Sequence, residues 1–285
     1  MTTLVKASNL SKRFGNVVAL DGVDLEIPEG RIVGLIGPNG AGKTTALKAL
    51  LGLTSFSGEL EVMGLDPRRE RHRIMQDVCF IADVAVLPRW LKVRQVLRVA
   101  EGLHPRFSPE RAEKLLAASQ VRLDSRVGQL SKGMVTQLHL ALVMAIEAKL
   151  LVLDEPTIGL DILYRKDFYT TLLNDYFDEG RTILVTTHQV EEIEHILTDV
   201  LFINQGRIVL DESMDQIGER FAQVAVTPEQ ADAARDLDPL YEQDMFGRKI
   251  FLFQDRSPQQ LSGLGETRVP GIADLFVAKI KGAAA

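Results

Sequence analysis

The chain has 285 residues, 46% of them hydrophobic and 25% charged, proportions that suit a folded globular protein and exclude extended disorder. Its net charge of -6 supplies no general attraction to nucleic acid or anionic lipid. No stretch approaches the roughly 18 consecutive apolar residues of a spanning helix and the N-terminus lacks a signal-peptide core, so any membrane role is expected to run through a partner.

Residues 4 to 36 read as strands, with turns at Gly15-Asn16 and Pro28-Glu29-Gly30, and end in the apolar run Ile32, Val33, Gly34, Leu35, Ile36. Gly37, Pro38, Asn39, Gly40, Ala41, Gly42, Lys43 and Thr44 follow, then Thr45 and leucines at helical spacing, Leu47, Leu50 and Leu51, over residues 43 to 53. Strand, glycine-rich loop and helix are the context in which G-x-x-x-x-G-K-[ST] holds a nucleoside triphosphate. Glycines let successive N–H groups converge on phosphate oxygens, and the helix N-terminus adds a favourable partial charge. Lys43 is placed to neutralise the β- and γ-phosphates and Thr44 to offer its hydroxyl to Mg²⁺. By itself the loop leaves kinases, GTPases and many ATPases open.

Arg68, Arg69, Arg71 and Arg73 form the densest basic patch, but Glu70 and Asp77 interrupt it, and a solvated helix face is expected. Cys79, the only cysteine, lies in the apolar run Val78 to Ile81; a buried, inert thiol in a reducing compartment is expected. From about 89 to 146 the pattern is helical, broken at Pro105 and Pro109 with Ser108 as an N-cap, which suggests a helical subdomain. Lys149 to Leu153 and residues 182 to 187 are short apolar runs separated by a helical stretch, the pattern of parallel strands buried on both faces. The first ends in Asp154-Glu155, and adjacent carboxylates at the end of a buried strand need a partner. Mg²⁺ bound to ATP supplies one: Asp154 for the metal, Glu155 for the attacking water. Beyond about residue 220 the strand candidates Gln223 to Val226 and Lys249 to Phe253 and a last amphipathic helix, Gly271 to Lys281, read as a small α+β unit. No internal repeat is visible.

Over residues 3 to 220 the chain resembles the ABC (ATP-binding cassette) ATPases. The likeness is carried by the phosphate loop, then Leu130-Ser131-Lys132-Gly133-Met134 as the family signature, Asp154-Glu155, the loop Pro156-Thr157-Ile158-Gly159-Leu160-Asp161, and Thr186-Thr187-His188 with its switch histidine. Taken alone, Ser131 reads as the N-cap of a helix from Met134 to Ile146. The resemblance implies an α/β P-loop cassette, 1 to 220, with a helical subdomain at about 84 to 146, and the α+β unit read beyond it becomes a C-terminal accessory domain, 221 to 285.

It implies a head-to-tail dimer, homodimer or heterodimer, in which Ser131 and Gly133 of one cassette complete the ATP site of the other. Glu155, His188 and Lys43 would be catalytic, and Thr44, Asp154 and Asp83 would hold Mg²⁺. Phe14 stands where the family stacks an aromatic on adenine, with a core phenylalanine as the alternative. Asp83 falls where the family usually has glutamine, Lys132 where it commonly has glycine, and Ile158 where it commonly has serine.

The combination Leu-Ser-Lys-Gly-Met is similar to ATPases of ABC-2 type exporters. The expected function is MgATP hydrolysis driving export through a separate transmembrane permease, on the inner face of the cell membrane, with no nucleic-acid partner. A soluble ABC ATPase acting on nucleic acid, ribosomes or an assembly scaffold is the alternative. The permease is expected to dock at Val84 to Arg94, where Trp90, Arg89 and Arg94 are candidate anchors; the alternative there is packing of the helical subdomain onto the core.

Overall fold

The computed structural model describes residues 2–81, 87–157, 162–178 and 180–282. In chain order, β1 (Thr3–Phe14) and β2 (Val17–Pro28) form a long hairpin, β3 (Ile32–Ile36) leads into α1 (Lys43–Leu50), and β4 (Ser57–Val62), α2 (Pro67–Ile74) and β5 (Val78–Ile81) follow. Three helices, α3 (Val93–Leu103), α4 (Pro109–Ala117) and α5 (Lys132–Met144), precede β6 (Leu150–Asp154), α6 (Ile162–Thr171) and β7 (Thr182–Thr187). Then come β8 (Asp199–Asn204), β9 (Arg207–Ser213), α7 (Met214–Arg220), β10 (Phe221–Val226), α8 (Ala231–Arg235) and β11 (Tyr241–Met245). The chain closes with β12 (Arg248–Gln254), α9 (Pro258–Leu261), β13 (Glu266–Arg268) and α10 (Ile272–Gly282).

The central sheet has the order β5-β6-β7-β3-β8-β9, parallel except for β9, which returns antiparallel beside β8. Strands β3, β6 and β7 are buried at every position, as interior strands of a parallel sheet covered on both faces must be. Period-two alternation sorts their side chains onto two cores. Ile32, Ile36, Leu151, Leu153, Ile183 and Val185 join one; Val33, Leu35, Leu150, Val152 and Leu184 join the other, which β1, β2, β4 and α1 cover. An α/β cassette results, as the sequence implies.

Helices α3 to α5 have a separate apolar centre that includes Val96, Leu97, Leu116, Leu138 and Ala141. Ser108 caps α4, its hydroxyl accepting the Arg111 N–H at 3.2 Å ahead of Pro109 in the first turn. Helix α5 begins at Lys132 and ends at Met144, earlier at both ends than the span Met134 to Ile146. Ser131 caps it by accepting the Met134 N–H at 3.2 Å, which commits Lys132 and Gly133 to the first turn. The basic patch lies on α2 and is exposed; Arg68 pairs with Asp66 and Arg73 with Glu70. Cys79 is 5% exposed, and burial pushes its thiol up to about 12, so it is unreactive while the chain is folded.

The last sheet, β11-β12-β10-β13, is antiparallel. One face, with Val224, Val226, Phe251 and Phe253, packs on α8 and α9. Part of the other is covered by α10, whose Ile272, Leu275 and Ala278 share a core with Phe221 and Leu252 and with the central sheet. No helix among the described residues is long and apolar enough to cross a membrane.

Candidate functional site

Strand order assembles the site. With β6, β7 and β3 adjacent and parallel, Asp154 lies beside Thr186 and Thr187 beside Ile36, so three loops leave one edge of the sheet side by side. That edge, at the carboxyl ends of parallel strands, is where open α/β sheets bind ligands. The loop after β3 carries Gly40 and Gly42 at φ 82° and 113°, values that favour glycine. At Gly37 a Cβ would lie 2.3 Å from the Ile203 carbonyl oxygen, and at Gly42 2.5 Å from that of Ala19; no side chain fits either place. Gly42 precedes α1 with no side-chain cap, so the first N–H groups of that helix face the loop.

Lys43 is 6% exposed. Its Nζ donates to the Gly37 carbonyl oxygen at 2.6 Å and stands 3.5 Å from Glu155 Oε1. Thr44 donates to Asp154 Oδ2 at 3.0 Å. Glu155 adopts φ 50°, a strained region for a non-glycine residue, and its N–H is held by the Thr186 carbonyl and hydroxyl oxygens, each at 3.1 Å. Its Oε2 meets His188 Nδ1 at 2.9 Å. A cleft of about 350 Å³ is lined by Pro38, Asn39, Gly40, Gly42, Lys43, Thr44, Thr45, Asp154, Glu155 and His188, and by Val17, Val18 and Ala19 of β2. It can take up a polyphosphate between an ammonium and a helix N-terminus, with carboxylates and an imidazole at one end.

Other residues named from the sequence lie elsewhere. Ala41 is buried at 3% exposure behind the loop, and its carbonyl accepts the Gly206 N–H. Phe14 is 52% exposed and pairs across the hairpin with Val17 at the cleft wall, which removes the core alternative. Ser131 is exposed and Gly133 half-buried on α5, and neither lines this chain's cleft. Asp83, Val84 to Val86, and Ile158 to Asp161 lie outside the described residues. Around the expected docking segment the two alternatives divide: Leu87 and Leu91 pack on the helical subdomain, whereas Trp90 is 73% exposed. Arg94 pairs with Asp124.

Thr186 is a site residue that the motif order does not single out. It is fully buried, and its hydroxyl donates to Asp154 Oδ1 at 2.7 Å while accepting from the Glu155 N–H. One side chain therefore holds the Asp154 carboxylate and the backbone of Glu155 together. Only the pairing of β6 with β7 reveals this; in the sequence Thr186 figures only in the run that leads to the switch histidine. A hydrogen bond to a charged group is worth about 1.5–3 kcal/mol. Thr186→Val, equal in shape, is expected to cut ATP turnover roughly 10- to 100-fold and to raise the Mg²⁺ concentration needed. Thr186→Ser is expected to recover most of it, which phosphate release measured across a Mg²⁺ titration checks.

Residues 20–158 match the ABC transporter family. The chain is 36% identical over 281 aligned positions to the Nod factor export ATP-binding protein I of Cupriavidus metallidurans, covering 92% of this chain and 89% of that one. It is 33% identical to a daunorubicin resistance ATP-binding protein of Streptomyces coeruleorubidus, over 84% of this chain and 78% of that protein. Among solved structures, an ATP-binding subunit of an ABC transporter superposes with a TM-score of 0.68 at 28% identity, covering 75% of this chain and 92% of the other.

Proposed function

The chain belongs to the family of ABC transporter ATP-binding proteins, and from that premise we propose that it is the motor subunit of an exporter, turning MgATP hydrolysis into movement of a separate transmembrane permease. The observation that carries this reading is the convergence of Lys43, Thr44, Asp154, Glu155 and His188 on one cleft. Both of the relatives above are ATP-binding proteins, one named for export and one for drug resistance, which favours transport over a soluble role on nucleic acid or a scaffold.

Within the cleft Lys43 binds the β- and γ-phosphates and the N–H groups of the loop and of α1 take their remaining oxygens. The Thr44 hydroxyl and the Asp154 carboxylate, 3.0 Å apart, are oxygen donors of the kind Mg²⁺ accepts beside substrate phosphates and water. When bound there, the ion would neutralise charge developing on the transferred phosphoryl group. Glu155 takes a proton from the attacking water, and His188, 2.9 Å from its Oε2, holds the carboxylate and contacts the γ-phosphate. Val17 and the exposed ring of Phe14 offer an apolar wall for a base.

Ser131 and Gly133 are then supplied by a second cassette, in a head-to-tail dimer with two composite sites. The exposed start of α5 supports this, because its N-terminus lies open to a phosphate from outside the chain. The ATPase unit spans 1 to 220 and the accessory unit 221 to 285. The protein sits peripherally on the inner face of the membrane, held by the permease. Trp90 anchors that contact, since a residue 73% exposed and outside the apolar clusters of the described residues is a large apolar surface open to a partner. Trp90→Ala is expected to weaken permease binding by about 2 kcal/mol, roughly 30-fold, with unchanged melting temperature and basal ATPase. Co-reconstitution with the permease reads this, and a variant that still couples normally contradicts the docking role.

A further inference from the structure

The segment that carries His188 is held at its far end by the last helix of the chain. After His188 come two short 3-10 turns, Val190–Glu192 and Glu194–Ile196. Their inward residues Val190, Ile193 and Ile196 share a core with Ile272, Leu275 and Ala278 of α10. Glu194 makes a separate, polar attachment to the same helix: its Oε1 accepts the Ile272 N–H at 3.0 Å. The carboxylate thus meets an otherwise unpaired donor and the positive end of an eleven-residue helix.

Both ends of this arrangement are fastened. On the C-terminal side, Lys279 of α10 donates to Gln254 of β12 at 2.7 Å, and Asp274 pairs with Arg268 of β13 at 3.4 Å. On the other side, His188 lies on Glu155, and Arg165 of α6 donates to Gln189 Oε1 at 2.8 Å and pairs with Glu192. The C-terminal sheet is therefore bonded through α10 to Glu194, and from Glu194 the chain itself runs six residues back to the switch histidine.

We infer that Glu194 is a positioning residue for ATP hydrolysis, its bond to the first turn of α10 making the C-terminal unit a brace for the segment that holds His188. This rests on the roles proposed above for His188 and Glu155. Releasing the far end of the segment lowers the population in which the imidazole reaches the carboxylate. The phosphate loop, built from β3 and α1, does not depend on that bond. Turnover therefore falls while nucleotide affinity stays.

The test is steady-state MgATP hydrolysis by the full chain carrying Glu194→Ala or Glu194→Gln, with His188→Ala as reference. Glu194→Ala is expected to lower kcat roughly 2- to 30-fold, a loss typical of a coupling residue, with KM within about twofold of the parent. Glu194→Gln keeps an oxygen that accepts the Ile272 N–H and is expected to regain most of kcat. Unchanged kcat in Glu194→Ala beside an inactive His188→Ala overturns the inference alone; unchanged kcat in His188→Ala overturns the site reading beneath it. A kcat loss that glutamine does not recover, or one matched by a rise in KM, also overturns the inference. Should Glu194→Ala fail to fold, Glu194→Asp, one methylene shorter, is read in its place by the same criteria.

Discussion

Lys43→Ala is expected to lose most nucleotide binding, and hydrolysis with it. The ammonium is almost wholly buried at the centre of the phosphate loop, 2.6 Å from the Gly37 carbonyl oxygen and 3.5 Å from Glu155 Oε1. Few waters can replace it there. Truncating one partner of a desolvated charge pair costs about 2–5 kcal/mol, which corresponds to roughly 30- to 5,000-fold in affinity. Equilibrium titration with a fluorescent ATP analogue measures the loss, and unchanged affinity would remove Lys43 from the phosphate site.

Glu155→Gln is expected to do the opposite, keeping ATP affinity and stopping turnover. The amide has the shape of the carboxylate, and its oxygen can accept from the His188 N–H at the place of Oε2. It cannot take a proton from water. A positioned general base contributes about 100- to 10,000-fold to rate, and kcat is expected to fall by that factor. Phosphate release and ATP binding, measured on the same preparation, separate the two quantities. A variant that still turns over at the parent rate would assign the base elsewhere.

These residues are legible in the sequence because their geometry is local. A strand, a glycine-rich loop and a helix follow one another within residues 32 to 50, and Asp154-Glu155 closes an unbroken apolar run; each motif carries its structural context with it. What is illegible depends on pairings between distant segments. Thr186 acquires its role only when β7 lies beside β6, and Val17 to Ala19 become cleft wall only because β2 passes over the loop after β3. The same limit explains the C-terminal sheet. Strands β10 and β12 contain the expected runs and pair in register, Val226 opposite Lys249. Strands β11 and β13, Tyr-Glu-Gln-Asp-Met and Glu-Thr-Arg, are too short and polar to show periodicity. Glu194, which ties that sheet to the switch segment, reads from the sequence as one acidic residue among several.

The start of α5 illustrates a different competition. Gly133 is a weak helix former, and the helix read from the sequence opens at Met134 behind Ser131 as its cap. The cap is as read but the helix starts directly after it, because the Ser131 hydroxyl takes the Met134 N–H and fixes the two residues between them in the helix. The consequence is functional. It puts Ser131, exposed, at the tip of α5, where a phosphate held by another cassette can meet it.

The most direct measurement is therefore the mass of Glu155→Gln in solution with and without MgATP, by light scattering. The 31.6 kDa chain is expected to double in mass when MgATP is added, because two phosphate loops each close against the other chain's Ser131. Adding Ser131→Arg to that variant is expected to abolish the doubling while leaving ATP binding by the phosphate loop in place. A monomer that holds ATP without changing mass, together with a parent chain that hydrolyses ATP as a monomer, would contradict the shared site.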